Sequence, residues 1–422
     1  MPELTVLERQ DARLDFRNLV YTPIDNIKAL HAAAQLAIQV ELTTIPAYLT
    51  ALYSISDRTS AAYQAIRSVA VEEMFHINQA ANILIGVGGR PLLTGAAVPV
   101  YPAYLPAADK TQTPYVGLYR ASPSVVRNVF MAIETPAPFA APPEGENYRT
   151  IGQLYKGLWD GICACVAKFG EAEVFRQDLA AAQRTDIYLG KFGGRAVRVT
   201  SQKTAWEGIV QIIQQGEGAV DPMRTIVPAQ RYGAYGHYGD RADGTYGPIL
   251  GTPYELSHYY KFMRVADERD FPDTLPIVSN PRRSDFVNPE AISALDAFNM
   301  AYSVMLKSFE MAFSSAIGDG DIFFKTTLPL MCDKLPALAS QLMTTPLFPD
   351  GDSSVGPNAT PTFEYIEDAT LDTLANLLEG LGARPIAAGP QSPAARRAAG
   401  ARAIAGDIRR LQQTCEAAGF TL

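Results

Sequence analysis

The chain has 422 residues, 47 % apolar and 19 % charged, which are the proportions of a globular protein with material for a sizeable core. Its formal net charge of −8 leaves no basic stripe for phosphates and argues against nucleic acid as a partner. No apolar run of about 18 residues occurs to span a membrane; the polar start MPELTVLERQDARLDF is unlike a secretory signal, and the four cysteines, Cys163 and Cys165 in a CxC and Cys332 and Cys415 alone, read as buried thiols of a reducing cytoplasm.

In chain order, a first helix is predicted over 26–56, where Leu30, Ala34, Ala37, Ile38, Glu41, Ile45, Tyr48, Leu49 and Leu52 recur at three- and four-residue steps. Glu41 stands inside this apolar stripe, where an acid needs a partner. Pro46 is expected to kink the helix just beyond it. A second helix, 60–86, places Ile66, Val69, Ala70, Glu73, His76, Ile77, Ala80 and Leu84 on its buried face and ends at Gly86, Gly88 and Gly89. Glu72 lies about 100° round that helix from Glu73; it reads as a surface acid or one standing behind the site. After a Pro-rich connection over 90–120, a helix starts near Pro123 and stops before Pro136, with Glu134 in its last turn.

Helices are expected near 149–169 and 171–182, and the segment around 191–199 reads as a short hairpin. The helix over 201–217, with Ser201 or Thr204 as its cap, sets Trp206, Ile209, Ile213 and Glu217 on one face. A Gly- and Tyr-rich loop at 228–251 leads into a helix carrying Glu255 and His258, whose buried face continues through Phe262 and Ala266. Further helices are predicted at 288–317, with Leu295, Phe298, Tyr302, Met305, Leu306, Phe309 and Phe313 inward, at 321–344, at 365–381 and after 390. No fixed-period repeat is present. The pattern is that of one all-α unit with long loops: residues 1–285 form a four-helix bundle, and residues 286–422 form a helical extension packed on it.

The chemistry is carried by the histidines. Only four occur, and two follow a glutamate by three residues, as Glu73-Met-Phe-His76 and Glu255-Leu-Ser-His258. On a helix such a pair shares one face, which is how a bundle holds half of a dinuclear metal site, with one further glutamate from a neighbouring helix for each half. Glu41 precedes the first pair by 32 residues and Glu217 the second by 38. With 20 glutamates in the chain, two such pairs among four histidines arise by chance in roughly 1–2 % of cases, so the motif needs the support that helical periodicity gives it. Four carboxylates converging in a core repel unless divalent cations lie between them. The expected set is therefore Glu41, Glu73 and His76 on one metal and Glu217, Glu255 and His258 on the other. A donor set of four oxygens and two nitrogens without thiolates suits two iron ions, with manganese or a mixed Fe/Mn pair left open.

Glu134 is open to three roles: an extra or bridging ligand, a general base, or a helix-end salt-bridge partner. Tyr48, Tyr259 and Tyr260 lie near the proposed ligands and are candidates to hydrogen-bond a bound oxygen species, Tyr259 being the candidate catalytic residue beside Glu134; aromatic packing is the competing role for these rings. His31 reads as a helix-start or core histidine and His237 as a loop histidine. The Gly/Tyr loop reads as a lid or substrate entrance.

Several of these segments resemble the ferritin-like domain of the iminophenyl-pyruvate dimer synthases of the violacein and rebeccamycin pathways. They are AIQVELTTIPAYL around Glu41, VEEMFHINQAANIL around His76, IETP at Glu134, IVQIIQQGEG at Glu217 and ELSHYYKF at His258. A weaker similarity extends through FNMAYSVML to the stretch at 356–364. The resemblance implies a ferritin-like four-helix bundle with a non-haem metal centre, often in natural-product biosynthesis. The named pathway enzymes are much longer chains, so their dimerising reaction is not carried over. The expectation is a cytoplasmic di-iron oxidoreductase that uses O2 or peroxide, with an electron donor, on a small substrate derived from an aromatic amino acid; the apolar helices over 288–344 either cover the bundle or form a homodimer face. Two other classes stand against it: a ferritin-like iron-oxidising or metal-binding protein without an organic substrate, and a metal-free helical scaffold whose acids pair with arginines.

Overall fold

The structure is a computed structural model that describes residues 24–136, 148–185, 196–216, 256–313, 322–384, 389 and 391–422. Helix α1 (Ile27–Ser54) is capped by Asn26, whose side chain accepts from the Ala29 amide at 2.9 Å, and it runs unbroken through Pro46. Every residue from Ala33 to Leu52 is buried, so α1 is covered on all sides, as the central helix of a bundle is. Its buried polar groups find partners nearby. Thr43 and Thr50 donate to the Gln39 and Pro46 carbonyls one turn back, and Gln35 closes on both backbone groups of Leu92.

Helix α2 (Ala61–Gly86), capped by Ser60, folds back along α1. At its far end His31 Nε2 bonds to the Val87 carbonyl at 2.7 Å, the structural role expected of that histidine. A helical stretch that we call α3 follows as Pro123–Val125, a π-helical turn Val126–Phe130 and Met131–Ile133. It ends in Glu134. The wide turn adds one residue to the repeat and so changes which side of the stretch its last residues face.

Helix α4 (Ile151–Phe169) packs on α1, and α5 (Gln202–Gly216) packs on both α4 and α2. Ser201 caps α5 by accepting from the Thr204 amide at 3.2 Å. The buried face of α5 runs through Ala205, Ile209, Ile212, Ile213 and Gly216; Trp206 sits at its edge, half-buried, with its ring 4.7 Å from that of Trp159. Helix α6 (His258–Ala266) closes the bundle against α2 and α3.

Two expected elements differ. The helix anticipated over 171–182 is a single turn, Glu171–Val174, and a 3-10 segment, Gln177–Ala182, separated by extended Phe175. Buried Phe175 and the Arg176 amide, bonded to the Gly86 carbonyl, pin the chain to the end of α2 and prevent a continuous helix. Of the anticipated hairpin, residues 186–195 lie outside the described residues, and 196–200 form no strand.

The C-terminal third contributes α7 (Pro289–Ala312), two π-helical turns (Phe323–Thr327 and Leu330–Lys334) running into α8 (Leu335–Met343), then α9 (Leu371–Gly382) and α10 (Pro393–Ala417). Helix α9 starts at Leu371, later than the pattern predicts, because residues before its cap, Thr370, run in non-helical conformation against α7; the buried Phe363 ring lies edge-on to Phe298 and Tyr302. Helix α7 packs on α8 and α9, α9 on α10, and α8 reaches α1. The Glu310 carboxylate of α7 takes the Leu93 amide at 2.7 Å and the Thr94 hydroxyl at 2.9 Å, tying this third to the loop after α2. One hydrophobic cluster runs from Leu30 to Phe420. The architecture is all-α: among the described residues there are only isolated β-bridges, and no helix is long and apolar enough to cross a membrane.

The join between α2 and the segment entering α5 is tight. A Cβ on Gly86 would stand 2.7 Å from the Val199 carbonyl oxygen, a backbone atom that cannot swing aside. Gly86→Ala is expected to destabilise the fold by about 1–3 kcal/mol, read as a lower denaturant midpoint with an unchanged slope.

Candidate metal centre

Four helical elements bring acids and imidazoles to one buried point. Glu41 comes from the middle of α1, Glu73 and His76 from one face of α2, Glu134 from the end of α3, and His258 from the first position of α6. All five are almost completely buried. Oxygen or nitrogen atoms of Glu73, His76 and His258 lie within 4.8 Å of one another. The two imidazoles stack with centroids 5.3 Å apart.

The carboxylates share a pattern. Glu41 receives the Tyr155 hydroxyl on Oε1 at 2.7 Å and turns Oε2 toward His76 Nδ1 at 3.7 Å. Glu73 receives the Thr44 hydroxyl on Oε2 at 3.0 Å and turns Oε1 toward both histidines, 2.8 Å from His258 Nδ1 and 3.7 Å from His76 Nδ1. Glu134 receives the Tyr48 hydroxyl on Oε1 at 2.6 Å and turns Oε2 toward His258 Nδ1 at 3.6 Å. Each acid thus has one oxygen held by a hydroxyl and the other facing an imidazole.

The histidines are fixed from behind. His76 Nε2 donates to Gln215 Oε1 at 2.9 Å, and His258 Nε2 donates to Glu72 Oε2 at 2.7 Å. Both acceptors are oxygens without protons to give, so the neutral rings carry their proton on Nε2 and present a lone pair at Nδ1. His258 Nδ1 makes no hydrogen bond of acceptable geometry despite its closeness to Glu73. Among the described residues no lysine or arginine pairs with Glu41, Glu73 or Glu134. The interior therefore holds a surplus of oxygen and nitrogen lone pairs directed at one another, which bound protons or a divalent cation would satisfy and which no arginine pairs with among the described residues. The donor set fits a divalent metal, with Glu73 facing both imidazoles.

Proton affinities follow the same imbalance. Burial, together with Glu41 and Glu134, pushes the Glu73 carboxyl well above the usual carboxylate range. Burial would lower His258, but Glu134, Glu72 and Glu73 outweigh it and hold the ring well above the usual histidine value. Burial opposes ionisation of Glu41, yet His76, Glu73 and Tyr155 together outweigh it and lower its pKa. Burial and the adjoining carboxylates raise Tyr48 and Tyr155 well above an ordinary phenol, so both remain donors.

Of the residues singled out from sequence, Glu41, Glu73, His76, His258 and Glu134 meet. Glu217 and Glu255 lie outside the described residues, as does His237. The helix bearing His258 begins at that residue, with Ser257 extended before it, so the one-turn spacing behind the second Glu-x-x-His pair is not what places the ring. Glu41 and Glu73 both face His76, as grouped from the sequence; Glu73 also faces His258, and Glu134 faces His258, so of its three open roles the geometry places it among the donors. Glu72 is not at the surface but buried against His258. Tyr259 packs its ring on Tyr260, centroids 5.5 Å apart; the tyrosines bonded to the acids are Tyr48 and Tyr155. Sequence reasoning passed over Tyr155, Thr44, Gln215 and Lys261. Tyr155 had a signal, because it lies with Ile151, Leu154, Leu158 and Ile162 on the apolar stripe of α4.

A family model described as ferritin-like matches residues 34–267, which contain every residue of this cluster. Among solved structures, a ferritin-like protein from Caulobacter vibrioides is 21 % identical, with a TM-score of 0.49 over 73 % of this chain and 95 % of that one. No curated protein matches the chain.

Glu73 and His258 both bind protons more tightly in the metal-free fold than in the unfolded chain, whose values are 4.5 and 6.5. The stability they contribute is present below those values and is lost as pH rises through the folded ones. The melting temperature of chelator-treated protein should therefore fall as pH rises above the ordinary values of these two groups, and metal, which displaces those protons, should remove the decline. Parallel melting curves with and without metal check this.

Proposed function

Because the chain belongs to the ferritin-like family, we propose that this cluster holds two iron ions and that the protein is a non-haem di-iron oxidoreductase acting with O2 or peroxide on a small organic substrate. The observation that carries the proposal is the orientation of the donors. Three buried carboxylates each spend one oxygen on a hydroxyl and direct the other at an imidazole Nδ1 whose opposite nitrogen is already bonded. Glu41, Glu73 and His76 would hold one ion, and His258 with Glu134 and Glu73 the other, with Glu217 and Glu255 as the remaining expected ligands. Oxygen and imidazole donors without thiolate favour iron, and manganese is the nearest competitor. Bound iron would supply one-electron chemistry toward O2, which no side chain of the cluster provides.

The chain's own part is to hold the donors and keep water out. Tyr48, Tyr155 and Thr44 fix the three carboxylate rotamers, so little reorganisation is needed when metal enters. Tyr48 also packs against Phe130 and Phe262, with ring centroids 4.8 and 5.1 Å away, which walls the Glu134 side with hydrocarbon. An aromatic amino-acid derivative as substrate is supported by the motif resemblance to the iminophenyl-pyruvate dimer synthases and by the apolar walls.

Purified protein loaded anaerobically with Fe2+ should hold two iron ions per chain. The variant Glu73→Ala/His76→Ala should lose both, since Glu73 faces each half-site; full metal content in a folded variant would defeat the assignment. Oxygen uptake by the iron-loaded protein should be stimulated by an aromatic 2-imino or 2-amino acid. Fe2+ oxidation at the same rate with or without such compounds would favour an iron-handling protein instead.

A further inference from the structure

The two imidazoles are supported by different chemistry. Behind His76 stands a neutral amide, Gln215 Oε1, at 2.9 Å. Behind His258 stands the buried carboxyl group of Glu72, at 2.7 Å, and the Lys261 ammonium donates to both oxygens of that group, at 2.9 and 2.7 Å. Glu72, His258 and Lys261 are all buried. Lys261 lies three residues after His258, one turn along α6, and Glu72 is the neighbour in sequence of Glu73. The consecutive acids of α2 therefore grip the same ring: Glu72 takes the proton on Nε2 while Glu73 faces the lone pair on Nδ1.

We infer that Glu72 and Lys261 are positioning residues that make the two metal positions unequal, the one at His258 binding its ion more tightly than the one at His76. A carboxylate accepting the Nε2 proton draws it away from the ring and leaves Nδ1 a stronger electron-pair donor than an amide oxygen does. The Lys261 ammonium anchors Glu72 through both oxygens, so the carboxylate keeps its geometry with α6. The ring is also oriented before metal arrives: α6 starts at His258, so its backbone position depends on this contact between α2 and α6. Gln215, near the end of α5, can orient His76 but adds no charge. This inference rests on the dinuclear reading above.

The test is a stepwise anaerobic titration of metal-free protein with Co2+, followed by its visible ligand-field absorption and by calorimetry. Wild type should take up two ions with separable affinities. Glu72→Gln leaves the Lys261 ammonium buried beside a neutral amide, which can cost the fold; Glu72→Gln/Lys261→Met removes both charges and serves as the companion variant, with folding checked by circular dichroism. In either variant the tighter step should weaken about 10–100-fold while the weaker step stays unchanged. Gln215→Leu should do the reverse. A general loosening of the fold would weaken both steps together, and that result, or unchanged affinities in the folded double variant, overturns the inference while leaving the dinuclear centre standing. Uptake of fewer than two ions by wild type would overturn the dinuclear centre itself.

Discussion

An excess of buried acceptors governs this molecule. Glu41, Glu73 and Glu134 converge in the interior with neither lysine nor arginine against them among the described residues, and the two histidines beside them offer lone pairs as well. Unpaired buried charge is among the most destabilising features a fold can carry. The packing around it calls for positive charge, which protons supply in the metal-free chain and which metal ions would supply at the proposed centre. Glu73 and His258, whose proton affinities are both raised in this interior, face each other at its centre.

The helices serve that point in distinct ways. α1 is buried all round and supplies Glu41 together with Thr44 and Tyr48, so one rigid rod carries a ligand candidate and two of the hydroxyls that orient the acids. α2 contributes both a front and a back: Glu73 and His76 face the centre, and Glu72 stands behind His258. The π-helical turn before Glu134 and the late start of α6 at His258 are departures from regular helix at the two elements that complete the site. Irregular helix of this kind costs hydrogen-bond quality, and it is commonly retained where it aims a side chain.

Much of this was legible in the chain. Periodicity located α1, α2, α4, α5 and α7 to within a few residues, because each has a continuous apolar face. Glu41 stood out as an acid inside such a face, and Glu73 with His76 as a pair one turn apart. Legibility failed where a contact came from a distant segment. Glu72, one residue from Glu73, reads on a helical projection as either a surface acid or one standing behind the site, and only α6 lying across it decides for the second. Tyr259 is adjacent to a histidine in sequence, yet that closeness says nothing about direction, and Tyr155, more than a hundred residues from Glu41, is the tyrosine that reaches it. The break at Phe175 was hidden for the same reason, since the end of α2 imposes it.

The sequence by itself determined the all-α bundle and the kinds of donors offered to its centre, because helical faces and buried acids are local consequences of spacing. Only the tertiary structure decided which oxygen faces which nitrogen, that Glu134 belongs with His258 while Glu73 faces both rings, and that one imidazole is backed by a carboxylate and the other by an amide. Those choices are set by how far apart and at what angle whole helices pack, and that distance is fixed by side chains remote in sequence from the groups it brings together.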